Sequence, residues 1–143
     1  MKNKQIGPSI REISLQIRNR VNELVNNKVN GVTHMNARIL HILRSEEENG
    51  NELCQKDLET IFTISKSTMC EMLNCMERRQ YIIRVASRDD SRKNVIKLTD
   101  LGRKIDDEVG VVIRDYENSL EEKITPEEKD ILLNILEKLK EDK

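Results

Sequence analysis

One pair of β-rich runs interrupts a chain whose apolar residues otherwise recur every three or four positions, and this limits the available folds more than any other feature. The runs are Ile82-Ile83-Arg84-Val85-Ala86 and Val95-Ile96-Lys97-Leu98. Between them lies Ser87-Arg88-Asp89-Asp90-Ser91-Arg92-Lys93-Asn94, a polar connector too long for a two-residue turn. The expected element is a hairpin with a charged tip. The fold class expected is mainly α with a small β-hairpin wing.

About six helices are expected around that hairpin. The first starts at Pro8-Ser9, where Ser9 and Glu12 have capping-box spacing, and carries Ile10, Ile13, Ile17, Val21 and Leu24. Asn30-Gly31 ends it. Thr33 can cap a second helix with Met35, Ile39, Ile42 and Leu43 inward, stopping at Asn49-Gly50-Asn51. A short third helix fits Gln55 to Phe62, and Ser65 is a good N-cap for a fourth that runs to about Gln80. Thr99-Asp100-Leu101-Gly102 leads into a long fifth helix with Leu101, Ile105, Val109, Val112, Tyr116 and Leu120. Thr125-Pro126-Glu127-Glu128 combines N-cap, proline at N1 and glutamate at N3, and opens a last helix bearing Ile131, Leu132, Ile135, Leu136 and Leu139.

The fourth helix is the most informative. Met69, Met72, Leu73 and Met76 fall at i, i+3, i+4 and i+7 and form one apolar stripe, with Ser67, Glu71, Asn74 and Arg78 opposite. Such polar side chains can pair with base edges, and the helix N-terminus offers N–H groups that favour phosphate.

Charge is segregated along the chain. The overall net charge is −1, but residues 64–104 carry ten basic and five acidic residues, whereas residues 105–143 carry six against thirteen. A basic middle and an acidic end suggest one phosphate-facing surface on a body that repels polyanions elsewhere.

Length and composition narrow the function classes. At 143 residues the chain is expected to form one domain, 1–143, with about a third of its residues charged. No run approaches the roughly 20 apolar residues that a bilayer requires, so no membrane partner is expected. The basic start lacks the apolar stretch of a signal peptide, and a cytoplasmic location is expected. Cys54, Cys70 and Cys75 are odd in number and read as free thiols. Cys70 and Cys75 lie about 140° apart on one helix and cannot bridge each other. With Phe62, Tyr81 and Tyr116 as the only aromatics, a stacking platform for single strands is not expected. His34 and His41 sit about 10 Å apart along one helix, too far to share a metal, and read as surface or pocket residues. There is no phosphate-cradling glycine loop or plausible triad, so no enzyme, cofactor or metal site is expected.

The first, fifth and sixth helices carry more apolar surface than a small wing-and-helix unit can cover. A two-fold partner using the same helices is the simplest cover, so a homodimer is expected, with 8–30 and 101–141 as dimerisation helices and 33–99 as the other lobe.

Three local patterns then carry a resemblance. Met76-Glu77-Arg78-Arg79-Gln80-Tyr81-Ile82-Ile83-Arg84, Asp90-Ser91-Arg92 at the hairpin tip, and Val95-Ile96-Lys97-Leu98-Thr99-Asp100-Leu101-Gly102 look like L-E-x-x-G-hydrophobic-x-x-R, D-x-R and v-x-L-T-x-x-G. In order and spacing they resemble the multiple-antibiotic-resistance regulator (MarR) family of bacterial winged helix-turn-helix transcription factors. The resemblance implies a homodimer binding a pseudo-palindromic double-stranded DNA operator, as a repressor, with a small-molecule effector as a further partner. It places Ser65, Lys66, Ser67, Thr68 and Glu71 at the major groove and Arg92 in the minor groove, oriented by Asp90. Asn74 on the same polar stripe, and Arg88 and Lys93 on the connector, complete the expected DNA-binding set. A guanidinium on a narrow loop suits the negative potential of an A·T-rich minor groove. The chain departs from the family at Thr63 and Gln80, where glycine is common, and at Glu59, where alanine is.

Two rival functions remain open on the residues alone. The basic face could serve a winged-helix module that binds an acidic protein. A thiol-based redox regulator is the other, though some relatives sense oxidants through a cysteine in the first helix and none here precedes Cys54.

Overall fold

A computed structural model describes residues 4–29 and 31–141. The elements run α1 (Ile6–Lys28), α2 (His34–Glu48), α3 (Gln55–Phe62), α4 (Lys66–Arg78), β1 (Ile82–Ala86), β2 (Asn94–Leu98), α5 (Asp100–Glu121) and α6 (Pro126–Leu139). This is the expected six-helix fold with one antiparallel hairpin, in register Ile82↔Leu98 to Ala86↔Asn94.

Helix caps follow local chemistry at four of the helix starts. Thr33, Ser65, Thr99 and Thr125 each accept a hydrogen bond from the backbone N–H three residues on, satisfying a donor that the first turn would leave unpaired. The first helix differs from expectation. It begins at Ile6 after an extended Gln5 without a side-chain cap, and Ser9 donates its backbone N–H to the Gln5 carbonyl. Pro8 therefore sits inside the first turn, where its missing N–H would have had no intrahelical partner anyway. Of the expected stop signal, Asn30 lies outside the described residues, and Gly31 adopts φ +78°.

The core lies where α2, α3, α4 and the hairpin meet. Ile39, Leu40, Leu58, Met69, Leu73 and Met76 are fully buried there. The methionine–leucine stripe of α4 thus points inward as its period requires, with Met72 at the core's edge. Val25 of α1 and Ile105, Val109 and Val112 of α5 extend the core along one side. The segment before α3 also joins the hairpin, because Ile96 donates its N–H to the Leu53 carbonyl at 2.8 Å and makes a third, one-residue strand edge.

Two sharp stops bend the path between these elements. Thr63 after α3 and Gln80 after α4 both adopt left-handed backbone, φ 53° and 67°. In each case the next N–H reaches back five residues, Ile64 to Glu59 and Tyr81 to Met76, closing the helix end in a Schellman pattern. Gln80 is fastened further by the Thr99 hydroxyl, which donates to its carbonyl at 2.5 Å.

Candidate nucleic-acid interface

The start of α4 is a polar, exposed surface built from its own cap. Ser65 accepts from the Thr68 N–H at 3.3 Å and donates its hydroxyl to that of Thr68 at 3.0 Å, with the Ser67 hydroxyl 3.4 Å away. The Gln55 amide at the start of α3 donates to the Lys66 carbonyl, tying the two helix starts together. Ser65, Lys66, Ser67, Thr68 and Glu71 are all exposed on one end of the helix. Asn74 lies on the same stripe, but its carbonyl accepts from Arg84 at 3.1 Å. Arg84 also meets Glu77 at 3.2 Å, so it bridges α4 to β1. Asn74 therefore also serves to fix the helix against the hairpin.

The hairpin tip is an ordered turn. Ser87 donates its N–H to the Lys93 carbonyl at 2.8 Å, and Lys93 donates to the Asp90 carbonyl at 2.9 Å. Within this turn Asp90 Oδ1 accepts both the backbone N–H and the Nε of Arg92, at 3.1 and 3.2 Å. The Arg92 side chain is 90% exposed, projecting from the tip with its root held by Asp90. That hydrogen bond from the guanidinium, followed by the Arg92 backbone N–H and the nearby charge of Lys93, holds the Asp90 carboxyl below its ordinary range despite slight desolvation. Lys93 is likewise exposed.

Arg88 is placed differently from the other two connector cations. Its guanidinium donates to the Gly50 carbonyl at 3.0 Å and its Nε lies 3.6 Å from Glu52. The charge is thus turned toward the α2–α3 connection. Nothing in the local sequence signals this pairing, because the partners are separated by 36 and 38 positions.

A second feature lies among α1, α2, α3 and α5. A cleft of about 490 Å³ is lined by Val21 and Val25 of α1, His34 and Arg38 of α2, Phe62 of α3, and Ile113 and Arg114 of α5, among others. The Arg38 guanidinium sits 5.0 Å from the Phe62 ring centroid, a cation–π distance. Burial, then the charges of Arg38 and Arg18, push the His34 pKa down. His41 also lines the cleft and contacts buried Asp106 at 3.3 Å, while Arg44 binds Asp106, Asp107 and the Arg103 carbonyl. This cluster fastens α2 to α5. Among the described residues, no group of three or more His, Cys, Asp or Glu is placed to hold a metal ion. Cys54, Cys70 and Cys75 are free and half-buried.

Comparison with known proteins follows from this geometry. Residues 30–93, from just before α2 to the hairpin tip, match the MarR family model. No curated protein sequence matches the chain. Among solved structures, MepR, a transcription regulator of the Staphylococcus aureus multidrug efflux pump MepA, is similar at a TM-score of 0.84 and 20% identity, over 95% of this chain and 96% of that one. The YusO protein from Bacillus subtilis is similar at 0.74 and 21%, over 93% and 90%. A Staphylococcus aureus MepR–DNA complex is similar at 0.74 and 20%, over 96% and 97%. Among the described residues, no helix is long and apolar enough to cross a membrane. Over residues 30–93 the chain is similar to the MarR family, and along nearly its whole length it shares the fold of these solved structures.

Proposed function

We propose that this chain is a homodimeric regulator of transcription that represses by occupying a pseudo-palindromic operator. The observation that carries the reading is the exposed Arg92, held at its root by Asp90, on the same lobe as the exposed polar start of α4. One side-chain set suits base edges in the major groove and the other the narrow minor groove beside it. The solved MepR–DNA complex has the same fold and supports the assignment. The remaining helices serve dimerisation, which leaves occupancy of DNA as the available means of control.

Dimerisation is supported by apolar residues that the single chain leaves open. Ile10 and Ile13 of α1, Val111 and Ile113 of α5, and Ile131, Leu132, Leu133 and Ile135 of α6 are exposed, and α6 buries no residue at all. Exposed aliphatic side chains in that number on three helices support an interface with a second copy.

The cleft beneath α1 and α5 supports release by a small molecule. Its walls are largely apolar, and Arg38 and Arg114 border it, which favours an anionic aromatic ligand. MepR has been solved bound to ethidium bromide, a cation, so ligand charge should distinguish the two proteins. Operator release by an aromatic carboxylate but not by ethidium is the expected outcome of a displacement titration.

Selection of bound duplexes from a random pool, followed by a salt titration, tests the DNA reading. A shared inverted-repeat sequence and a steep log–log salt slope are expected. Failure to enrich any duplex, with a flat slope, would sink it in favour of an acidic protein partner.

A further inference from the structure

We propose that Glu52 is the positioning residue of the wing, locking the base of the hairpin to the α2–α3 connection and so setting where Arg92 meets the duplex. The inference rests on the DNA-binding reading above and deepens it.

Glu52 lies on the connection between α2 and α3, yet only 8% of its side chain is exposed. Its Oε1 accepts the Ser87 hydroxyl at 2.9 Å and the Arg88 backbone N–H at 3.2 Å, both at the point where β1 passes into the tip. Its Oε2 lies 3.6 Å from Arg88 Nε and 3.6 Å from Lys97 Nζ on β2. One carboxylate therefore grips both arms of the hairpin. Burial, the largest influence on this carboxyl, pushes its pKa up, but the Ser87 and Arg88 hydrogen bonds and the two cations together hold it below its ordinary range. It stays charged where a buried carboxyl without such partners would take up a proton.

The neighbouring backbone makes the grip rigid. Arg88 reaches past Glu52 to the Gly50 carbonyl, and the next residue, Leu53, accepts the Ile96 N–H. Cys54 then caps α3, with Asp57 closing the box, and the Gln55 amide binds the first residue of α4. Four consecutive residues, 52–55, thus connect the wing base to the helix that offers Lys66, Ser67 and Glu71. The separation between the two groove contacts is carried by this segment, with Glu52 as its polar fastener. Arg92 lies four residues beyond Arg88 on a turn closed by the Ser87–Lys93 bond, so freeing the base frees the tip. No other element spans from hairpin base to α3 with a buried charge among the described residues.

The test uses the full-length chain and operators selected from a random pool, in matched forms with A·T-rich and G·C-rich flanks. Wild type should prefer A·T flanks, and Glu52→Gln should abolish the preference while weakening the A·T-flanked operator about tenfold. Arg92→Ala should then add little in the Glu52→Gln background, though it is costly alone. Without DNA, the Arg88 amide should lose hydrogen-exchange protection in Glu52→Gln while α4 amides keep theirs. Ser87→Ala, which removes the hydroxyl's bond to Glu52 and its bond from the Asp89 N–H but no charge, should shift flank preference in the same direction by less, and it serves if Glu52→Gln fails to fold. If these variants weaken A·T- and G·C-flanked operators by the same factor, leaving the flank preference intact, or if Arg92→Ala costs as much in both backgrounds, Glu52 has no positioning role. Wild-type protein that binds no duplex would instead overturn the DNA-binding reading itself.

Discussion

Arg92 can serve as a groove contact because its charge is exposed while its backbone and Nε are anchored by Asp90. Arg92→Ala should cost about 1–3 kcal/mol per subunit in operator binding, as other good base-edge contacts do. Asp90→Ala should cost less, and the double variant little more than Arg92→Ala alone, since Asp90 acts through Arg92. Additive losses in that cycle would show two independent charges instead. The same pair has a pH signature. A carboxyl whose folded pKa is depressed contributes order that is complete above its unfolded pKa and is lost only as pH falls through the lower folded value. Asp90 should therefore hold Arg92 throughout mildly acidic conditions, and its carboxyl titration by NMR should move up in Arg92→Ala; an unmoved midpoint would exclude Arg92 as the cause. Backbone strain is the other residue-scale feature. Thr63 and Gln80 stand in left-handed conformation where the family commonly has glycine, and both stops still form because the five-residue backbone bonds close them. Gln80→Gly should raise stability by about 0.5–1 kcal/mol, the relief of a left-handed side chain less the added freedom of the unfolded chain. Urea midpoints measure this directly.

At the scale of elements, the proposed division of labour runs along α4. Lys66, Ser67 and Thr68 are exposed on its first turn, and Glu71 is exposed one turn further along. Lys66→Ala should weaken every duplex alike and lower the salt slope, whereas Glu71→Ala should change which operator variants bind best. Equal losses across all sequences for both would remove the division. The junction of α4, β2 and α5 depends on Gly102. A Cβ at that position would stand 2.2 Å from the Tyr81 carbonyl oxygen, which itself accepts the Thr99 N–H. Gly102→Ala should destabilise by about 1–3 kcal/mol, because the clash is with backbone that cannot step aside. Gly110, in the same helix, would meet only the flexible end of Arg114 at 3.4 Å, so Gly110→Ala should be neutral or stabilising in the same thermal melts.

For the whole molecule, the proposed assembly turns on α6. It is well capped by Thr125 and Glu128 but fully buries none of its leucines and isoleucines within the chain, and only Leu136 among them is partly buried. Light scattering at micromolar concentration should report about twice the 16.7 kDa chain mass. Truncation before Thr125 should abolish the dimer and, with it, tight binding to a two-half-site operator. A truncated chain that stays dimeric would place the interface on α1 and α5 alone.

Local chemistry determined much of this protein directly from its residues. Helix periods, caps at Thr33, Ser65, Thr99 and Thr125, and the β-rich runs at 82–98 depend on neighbours within a few positions, so they are legible in one dimension. The Asp90–Arg92 pair is legible for the same reason, at two residues' separation. Tertiary structure alone decided the rest. Glu52 gives no local signal, and it becomes a wing anchor because folding brings Ser87, Arg88 and Lys97 around it. Asp106, itself buried, meets His41 and Arg44 only once α5 lies against α2. Arg88, expected among the DNA-binding cations, stays largely exposed but directs its guanidinium to Glu52 and the Gly50 carbonyl, partners that are distant in sequence. Short-range hydrogen bonding and periodic burial can be written in sequence order, but long-range charge pairing depends on which elements the core brings together.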